Sequence, residues 1–89
     1  MDRKHYAIVA FPTSQAAAAA EIHVSDSAFD CRLIPMPEQI AAGCGLVLQL
    51  PVEDVKAVQS ILEKNRIAVD EYYEVHFINR KKSVDVLER

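Results

Sequence analysis

The stretch YAIVAF at residues 6–11 decides the fold of this chain. Six consecutive apolar or aromatic residues match the length of a β-strand, and the absence of alternating polar residues is typical of a strand covered on both faces. Such a strand belongs in the middle of a sheet. We therefore place it at the centre of the domain and assign the other elements around it.

The residues that follow this strand predict a helix. Pro12 turns the chain, and Thr13 or Ser14 can cap the helix by accepting a hydrogen bond from a backbone N–H. Five alanines at residues 16–20 give the segment a high helix propensity. The apolar residues Ala17, Ala20 and Val24 recur at helical spacing, so we expect that face to lie against the sheet.

The second half of the chain predicts the same alternation of elements. We expect strands at residues 31–34, 46–50 and 72–78, with a helix opening at Pro51 and ending near Asn65 in a left-handed cap. The apolar stripe of that helix contains Val55, Val58 and Leu62.

This order of elements predicts an α+β fold of the ferredoxin-like βαββαβ plan. In that plan a four-stranded antiparallel sheet carries two helices on one face, with the first and third strands in the centre. We predict a single ferredoxin-like domain at residues 1–78. Residues 79–89 are mostly charged, and we expect a C-terminal tail there that frays or forms a short helix with Val84 and Leu87.

Composition and charge exclude several classes of function. With a net charge of -3 and no tryptophan, the chain lacks the basic surface that nucleic-acid binding requires. No apolar run has the length of a membrane span or a signal peptide, so we predict no membrane association and a cytoplasmic location. Cysteines in that compartment are expected to be reduced. No cofactor-binding motif is present, so we expect no cofactor.

The loop PMPEQIAAGCG at residues 35–45 is the candidate functional segment. Cys44 lies between Gly43 and Gly45, the only two glycines of the chain, and glycine lets another molecule approach the sulfur closely. Together with the two glycines, Pro35 and Pro37 are the residues expected to support the conformation of the loop. Loops of this length within compact domains are frequently functional.

Topology gives Cys44 two opposing environments. The loop lies at the same end of the sheet as the start of the first helix, so Thr13 and Ser14 are candidate stabilisers of a thiolate. Residues 37–43 also fit a one-turn helix, which would leave Cys44 after a helix C-terminus, where a negative charge is disfavoured. A structural role, in which Cys44 is a small buried residue that ends a turn, also stays open.

The remaining candidate residues have less support. Cys31 is expected to be a small apolar residue of an edge strand. If Ile34 pairs near Leu46, Cys31 is too far from Cys44 for a disulfide. The three histidines, at positions 5, 23 and 76 (His5, His23, His76), lie on separate elements without a second ligand at metal spacing, so we predict no metal site.

Three segments of the chain resemble a known family: FPT at 11–13, LIPMP at 33–37 and GCGL at 43–46. They are similar to the selenium/sulfur carrier-like proteins, also called the DUF3343 domain of unknown function, over about residues 6 to 75. The resemblance implies that Cys44 carries a transferable sulfur or selenium atom as a persulfide or selenopersulfide. It also implies persulfide donor and acceptor proteins as partners, and a carrier in place of a turnover enzyme.

A second hypothesis assigns no chemistry to the loop. In this case the protein is a non-catalytic ferredoxin-like interaction or ligand-sensing module. It would form a homodimer through the sheet face opposite the helices, because the apolar central strand makes that face partly hydrophobic. The carrier requires an exposed and reactive Cys44, whereas the module is indifferent to Cys44→Ser apart from packing.

Overall fold

A computed structural model of the protein describes residues 5–37 and 45–87. In chain order, the elements are β1 (His5–Ala10), α1 (Ser14–Asp26), β2 (Arg32–Pro35), β3 (Leu46–Leu50), α2 (Val55–Lys64), β4 (Glu71–Ile78) and β5 (Lys81–Val86). A 3-10 turn, Val52–Asp54, precedes α2. The two helices and the first four strands fall at the positions predicted from the sequence, with bounds that differ by one residue in β1, β2 and β4.

The strands form one antiparallel sheet in the order β2-β3-β1-β4-β5. The predicted number of four strands is therefore wrong. Residues expected to fray or to form a helix at the C-terminus instead form β5, which pairs with β4 from Tyr73 opposite Val86 to Ile78 opposite Lys81. β1 and β3 lie in the interior of the sheet, as expected, and β4 joins them there.

The turn between β4 and β5 explains how charged residues enter the sheet. Asn79 and Arg80 both have positive φ, at 51° and 66°. A two-residue connection with this conformation is the type I′ pattern, whose twist matches that of the flanking strands. The sequence does not predict this hairpin, because arginine is unusual at the second position of the turn, where glycine is preferred.

The main core lies between the helices and one face of the sheet. The helices contribute the predicted residues Ala17, Ala20, Val24, Val55, Val58 and Leu62. β1 contributes Ala7 and Val9, followed by Phe11, and the facing residues of β3 and β4 are Leu48, Leu50 and Tyr72. Both helices therefore cover the same face. The small side chains of α1 allow close packing against the sheet, which agrees with the predicted role of the alanine run.

A second apolar cluster lies on the other face of the sheet. It contains Tyr6, Ile8, Ala10, Val47 and Val75. The apolar residues of β1 therefore pack into two clusters, one on each face of the sheet. β4 and the edge strand β5 each add an exposed apolar side chain to this second face. Phe77 on β4 is 41% exposed, and Val86 on β5 is 59% exposed.

Local interactions define the helix ends. Thr13 is the N-cap of α1, and its side-chain oxygen accepts a hydrogen bond from the Ala16 N–H at 3.1 Å. The left-handed cap predicted at Asn65 is wrong, because Asn65 has φ of -95° and Arg66 has φ of 57°. Asn65 instead donates a side-chain hydrogen bond to the Ile61 carbonyl at 2.8 Å.

Candidate functional site

The end of the β2–β3 hairpin and the start of α1 lie at the same end of the sheet. Ala10, the last residue of β1, is opposite Val47 near the start of β3. The hairpin closes there, with Pro35 opposite Leu46 and the Met36 N–H donating to the Gly45 carbonyl at 2.9 Å. The described ends of the hairpin therefore lie at the end of the sheet where α1 starts, and the position of the loop relative to the helix N-terminus stays a prediction.

The candidate carrier cysteine itself lies outside the described residues. Cys44 and Gly43 fall in the segment 38–44, as does most of the one-turn helix predicted at 37–43. The flanking residues are described: Pro37 is buried, whereas Pro35 and Gly45 are exposed. The chain thus enters the loop from a packed proline and leaves it at an exposed glycine.

Gly45 has a backbone conformation that other residues rarely adopt. Its φ is +86°, and a Cβ built on it would have no atom within 4 Å. Glycine is therefore required by the backbone angle and not by a neighbouring atom. The positive φ is thus a physical reason for glycine at the position that follows Cys44.

Thr13 and Ser14 are at the hairpin end of the molecule, and both are exposed. Thr13 uses its side-chain oxygen to cap α1, and Ser14 is the first residue of the helix. A helix N-terminus stabilises negative charge through its backbone N–H groups and its dipole. The placement of these residues as thiolate stabilisers stays a prediction, since their distances to the Cys44 sulfur are outside the described structure.

Cys31 lies just before β2, where it is half-buried against the main core. It is a free thiol. Its sulfur is 3.4 Å from the Ser25 hydroxyl oxygen and 4.0 Å from the Glu21 carbonyl oxygen. The hairpin register differs by one residue from the predicted pairing, because Val47 and not Leu46 is opposite Ile34. Cys31 is thus a packed residue beside α1 that directly precedes the edge strand β2, whereas the sequence predicted it within that strand.

A polar cluster at the other end of β1 was not anticipated. His5 and His76 are directly opposite each other on β1 and β4. The Nε2 atom of His5 is 2.8 Å from Oε2 of Glu74, and the Nε2 atom of His76 is 2.9 Å from Oε1 of the same carboxylate. The two imidazole rings stack with centroids 4.3 Å apart and an interplanar angle of 18°.

Electrostatics in this cluster favour an ionised carboxylate. Hydrogen bonds from His5 and then from His76 hold the pKa of Glu74 below its ordinary value. The cluster is partly open to solvent, with side-chain exposures of 40% for His5, 35% for His76 and 28% for Glu74. These three residues are the one group in the described part of the chain whose side chains have the spacing and chemistry of metal ligands.

The three histidines lie on separate elements of the chain, which is why the sequence predicted no metal site. The signal that would have found the cluster is the pairing of β1 with β4 together with the spacing of Glu74 and His76. Residues two apart on a strand share a face, and the pairing brings His5 to that same face. His23, on α1, is not part of the cluster.

No helix in ranges 5–37 and 45–87 combines the length and apolar character needed to cross a bilayer.

Fold and sequence together define a class: a small α+β protein with an antiparallel sheet, two helices on one face, and a cysteine between two glycines in the β2–β3 connection. Within that class, the chain belongs to the family described as "Putative Se/S carrier protein-like", whose model matches residues 6–74. This confirms the resemblance found in the sequence. No curated protein and no solved structure matches the chain.

Proposed function

We propose that the protein is a sulfur or selenium carrier in which Cys44 holds the transferable atom as a persulfide or selenopersulfide. The observation that carries this proposal is the family match over residues 6–74, because that range includes the loop with Cys44. The exposed Gly45 next to it and the nearby start of α1 support the same assignment.

The transfer step is a thiol exchange. The Cys44 thiolate attacks the outer sulfur of a cysteine persulfide on a donor protein, a new sulfur–sulfur bond forms on Cys44, and the donor thiolate leaves with the electron pair of the broken bond. An acceptor protein then removes the outer sulfur by the same reaction. No net oxidant is needed, since the donor sulfur already carries the required oxidation state.

The two cysteines are not equivalent candidates for this role. A carrier thiol must come within bonding distance of a cysteine on another protein. Cys31 is held against α1, with its sulfur close to Ser25 and to the Glu21 carbonyl. Cys31 therefore provides a matched control for Cys44, because each can be replaced by serine with the same loss of one thiol.

The test is intact-protein mass spectrometry after incubation with a cysteine desulfurase and free cysteine. We expect the wild-type protein and Cys31→Ser to gain one sulfur atom that a reductant removes, and Cys44→Ser to gain none. The same experiment with a selenium donor separates the two elements. A gain that persists in Cys44→Ser, or no gain in any form of the protein, would refute the carrier proposal.

We further infer that the fold is the ferredoxin-like plan with one added edge strand. Support comes from the order β2-β3-β1-β4, in which the first and third strands are central, and from the packing of both helices on one face. β5 then extends the sheet beyond β4. We also propose that the carrier acts in the cytoplasm, where thiols are kept reduced.

The apolar sheet face favours a second candidate function, a dimeric interaction module. The cluster of Tyr6, Ile8 and Val75 on that face continues into exposed Phe77 and Val86. Sedimentation would show a concentration-dependent dimer that Phe77→Glu dissociates. Ile22→Glu, which changes a 58% exposed residue on α1, is the matched control and should leave the dimer intact. A wild-type monomer at all concentrations would exclude this function.

A further inference from the structure

The cluster of His5, Glu74 and His76 carries a further inference that does not depend on the carrier proposal. We propose that these three side chains form a binding site for a divalent first-row transition metal ion, with Zn²⁺ as the reference ion. The ligands are Nε2 of each histidine and the carboxylate of Glu74. Two imidazoles and one carboxylate are a donor set that such ions prefer.

The geometry of the donor atoms fits this assignment. One ligand atom from each of the three residues lies within 4.8 Å of the other two, and each Nε2 contacts a different oxygen of the Glu74 carboxylate. In a tetrahedral zinc site with bonds of about 2.0–2.1 Å, neighbouring ligand atoms are about 3.3 Å apart. The observed contacts of 2.8 Å and 2.9 Å need to open by only a few tenths of an ångström.

The backbone holds the ligands in place before a metal arrives. His5 on β1 and His76 on β4 are directly opposite each other, and both strands lie in the interior of the sheet. Glu74 is two residues from His76 and lies on the same face. The stacked imidazoles also support each other's orientation, since their planes are only 18° apart. Little conformational freedom of the backbone is therefore lost on binding.

The site also leaves room for a further ligand. The three side chains are partly exposed, so water can complete the coordination. On β5, Ser83 is opposite His76 and Asp85 is opposite Glu74, and the Ser83 hydroxyl lies 3.2 Å from the Asp85 carboxylate. Each metal-bound Nε2 must be free of its proton, so the ring proton then resides on Nδ1.

The site is separate from the family's carrier segment. His5 and His76 lie outside the matched range of residues 6–74, and Glu74 is its last residue. The cluster is at the start of β1, whereas the loop with Cys44 joins the sheet at the end of β1. Metal binding is thus a property of this chain's own residues.

The experiment is isothermal titration of the metal-free protein with Zn²⁺, together with the His76→Gln variant. Loss of even an outer-shell partner commonly lowers metal affinity by about 10- to 100-fold, so loss of a direct ligand should lower it by at least about 10-fold. His23→Gln removes a histidine outside the cluster and should bind Zn²⁺ as the wild type does. Circular dichroism establishes that each variant is folded.

Two further variants keep the result unambiguous. Cys44→Ser should leave the affinity unchanged, which separates this site from metal binding by the thiol. Glu74→Gln should weaken binding as His76→Gln does, so a folding failure of either variant leaves the other to decide. One Zn²⁺ per chain with this pattern supports the proposal. No binding by the wild type, or a wild-type affinity for Zn²⁺ in both His76→Gln and Glu74→Gln, would overturn it.

Discussion

Replacing Gly45 by alanine should destabilise the protein through the backbone angle alone. Gly45 has φ of +86°, yet a Cβ at this position meets no atom within 4 Å. The left-handed region costs a residue with a Cβ about 1–2 kcal/mol. Alanine also restricts the unfolded chain, which returns about 0.4–1 kcal/mol. The expected net loss in the free energy of unfolding is about 1 kcal/mol.

Urea denaturation followed by circular dichroism measures this loss, and thermal unfolding should show Tm lowered by about 4–8 °C. Gly45→Asn is the matched control, because asparagine tolerates positive φ better than alanine does. We expect it to lose less stability than Gly45→Ala. Equal losses in the two variants would point to a steric contact, and a Gly45→Ala protein as stable as the wild type would show that the positive φ is not required.

Three other changes follow from the described structure. Thr13→Ala removes the N-cap of α1 and should cost about 1 kcal/mol in a urea titration, whereas Ser14→Ala, beside it, should stay within about 0.5 kcal/mol. Arg80→Gly relieves a positive φ in the β4–β5 turn, and we expect a gain of up to about 1 kcal/mol, seen as a higher Tm; a lower Tm would contradict the type I′ assignment. Burial raises the pKa of Tyr6 above its ordinary value of 10.0, so the unfolded chain ionises first and stability should fall as pH rises through and above 10. The same titration on Tyr6→Phe should show a smaller fall, and an identical fall would exclude this residue as the cause.

Much of the sheet could be predicted because its strands are unusually apolar. β1 and β3 lack the alternation of a half-exposed strand, and both lie in the interior of the sheet. Each of these strands contributes residues to the apolar cluster on either face of the sheet. β5 could not be predicted in the same way. Its sequence, Lys81–Val86, has charged residues at three of the six positions, and it is held by pairing with β4 through a turn whose second residue is Arg80. Long-range pairing here overrides local composition.

The candidate sites show the same division between local and long-range information. The capping role of Thr13 depends only on residues within one helical turn of it, so it could be predicted from the sequence. In the cluster of His5, Glu74 and His76, the first two residues are 69 positions apart in the sequence. Only the register of β1 with β4 shows that they are neighbours. A search for metal ligands by spacing along the chain therefore fails, although the alternation of side chains on a strand already places Glu74 and His76 on one face.

The two proposed sites can be tested independently because β1 separates them. From His5 to Ala10 the strand rises five residues, or about 17 Å at about 3.3 Å per residue. A metal ion bound at His5 is therefore at the opposite end of β1 from the described hairpin residues Met36 and Gly45. If Zn²⁺ inhibits sulfur loading of the wild type and of His76→Gln equally, the ion acts on the thiol. Inhibition that disappears in His76→Gln would instead mean that occupation of the histidine cluster changes the loop from the far end of the strand.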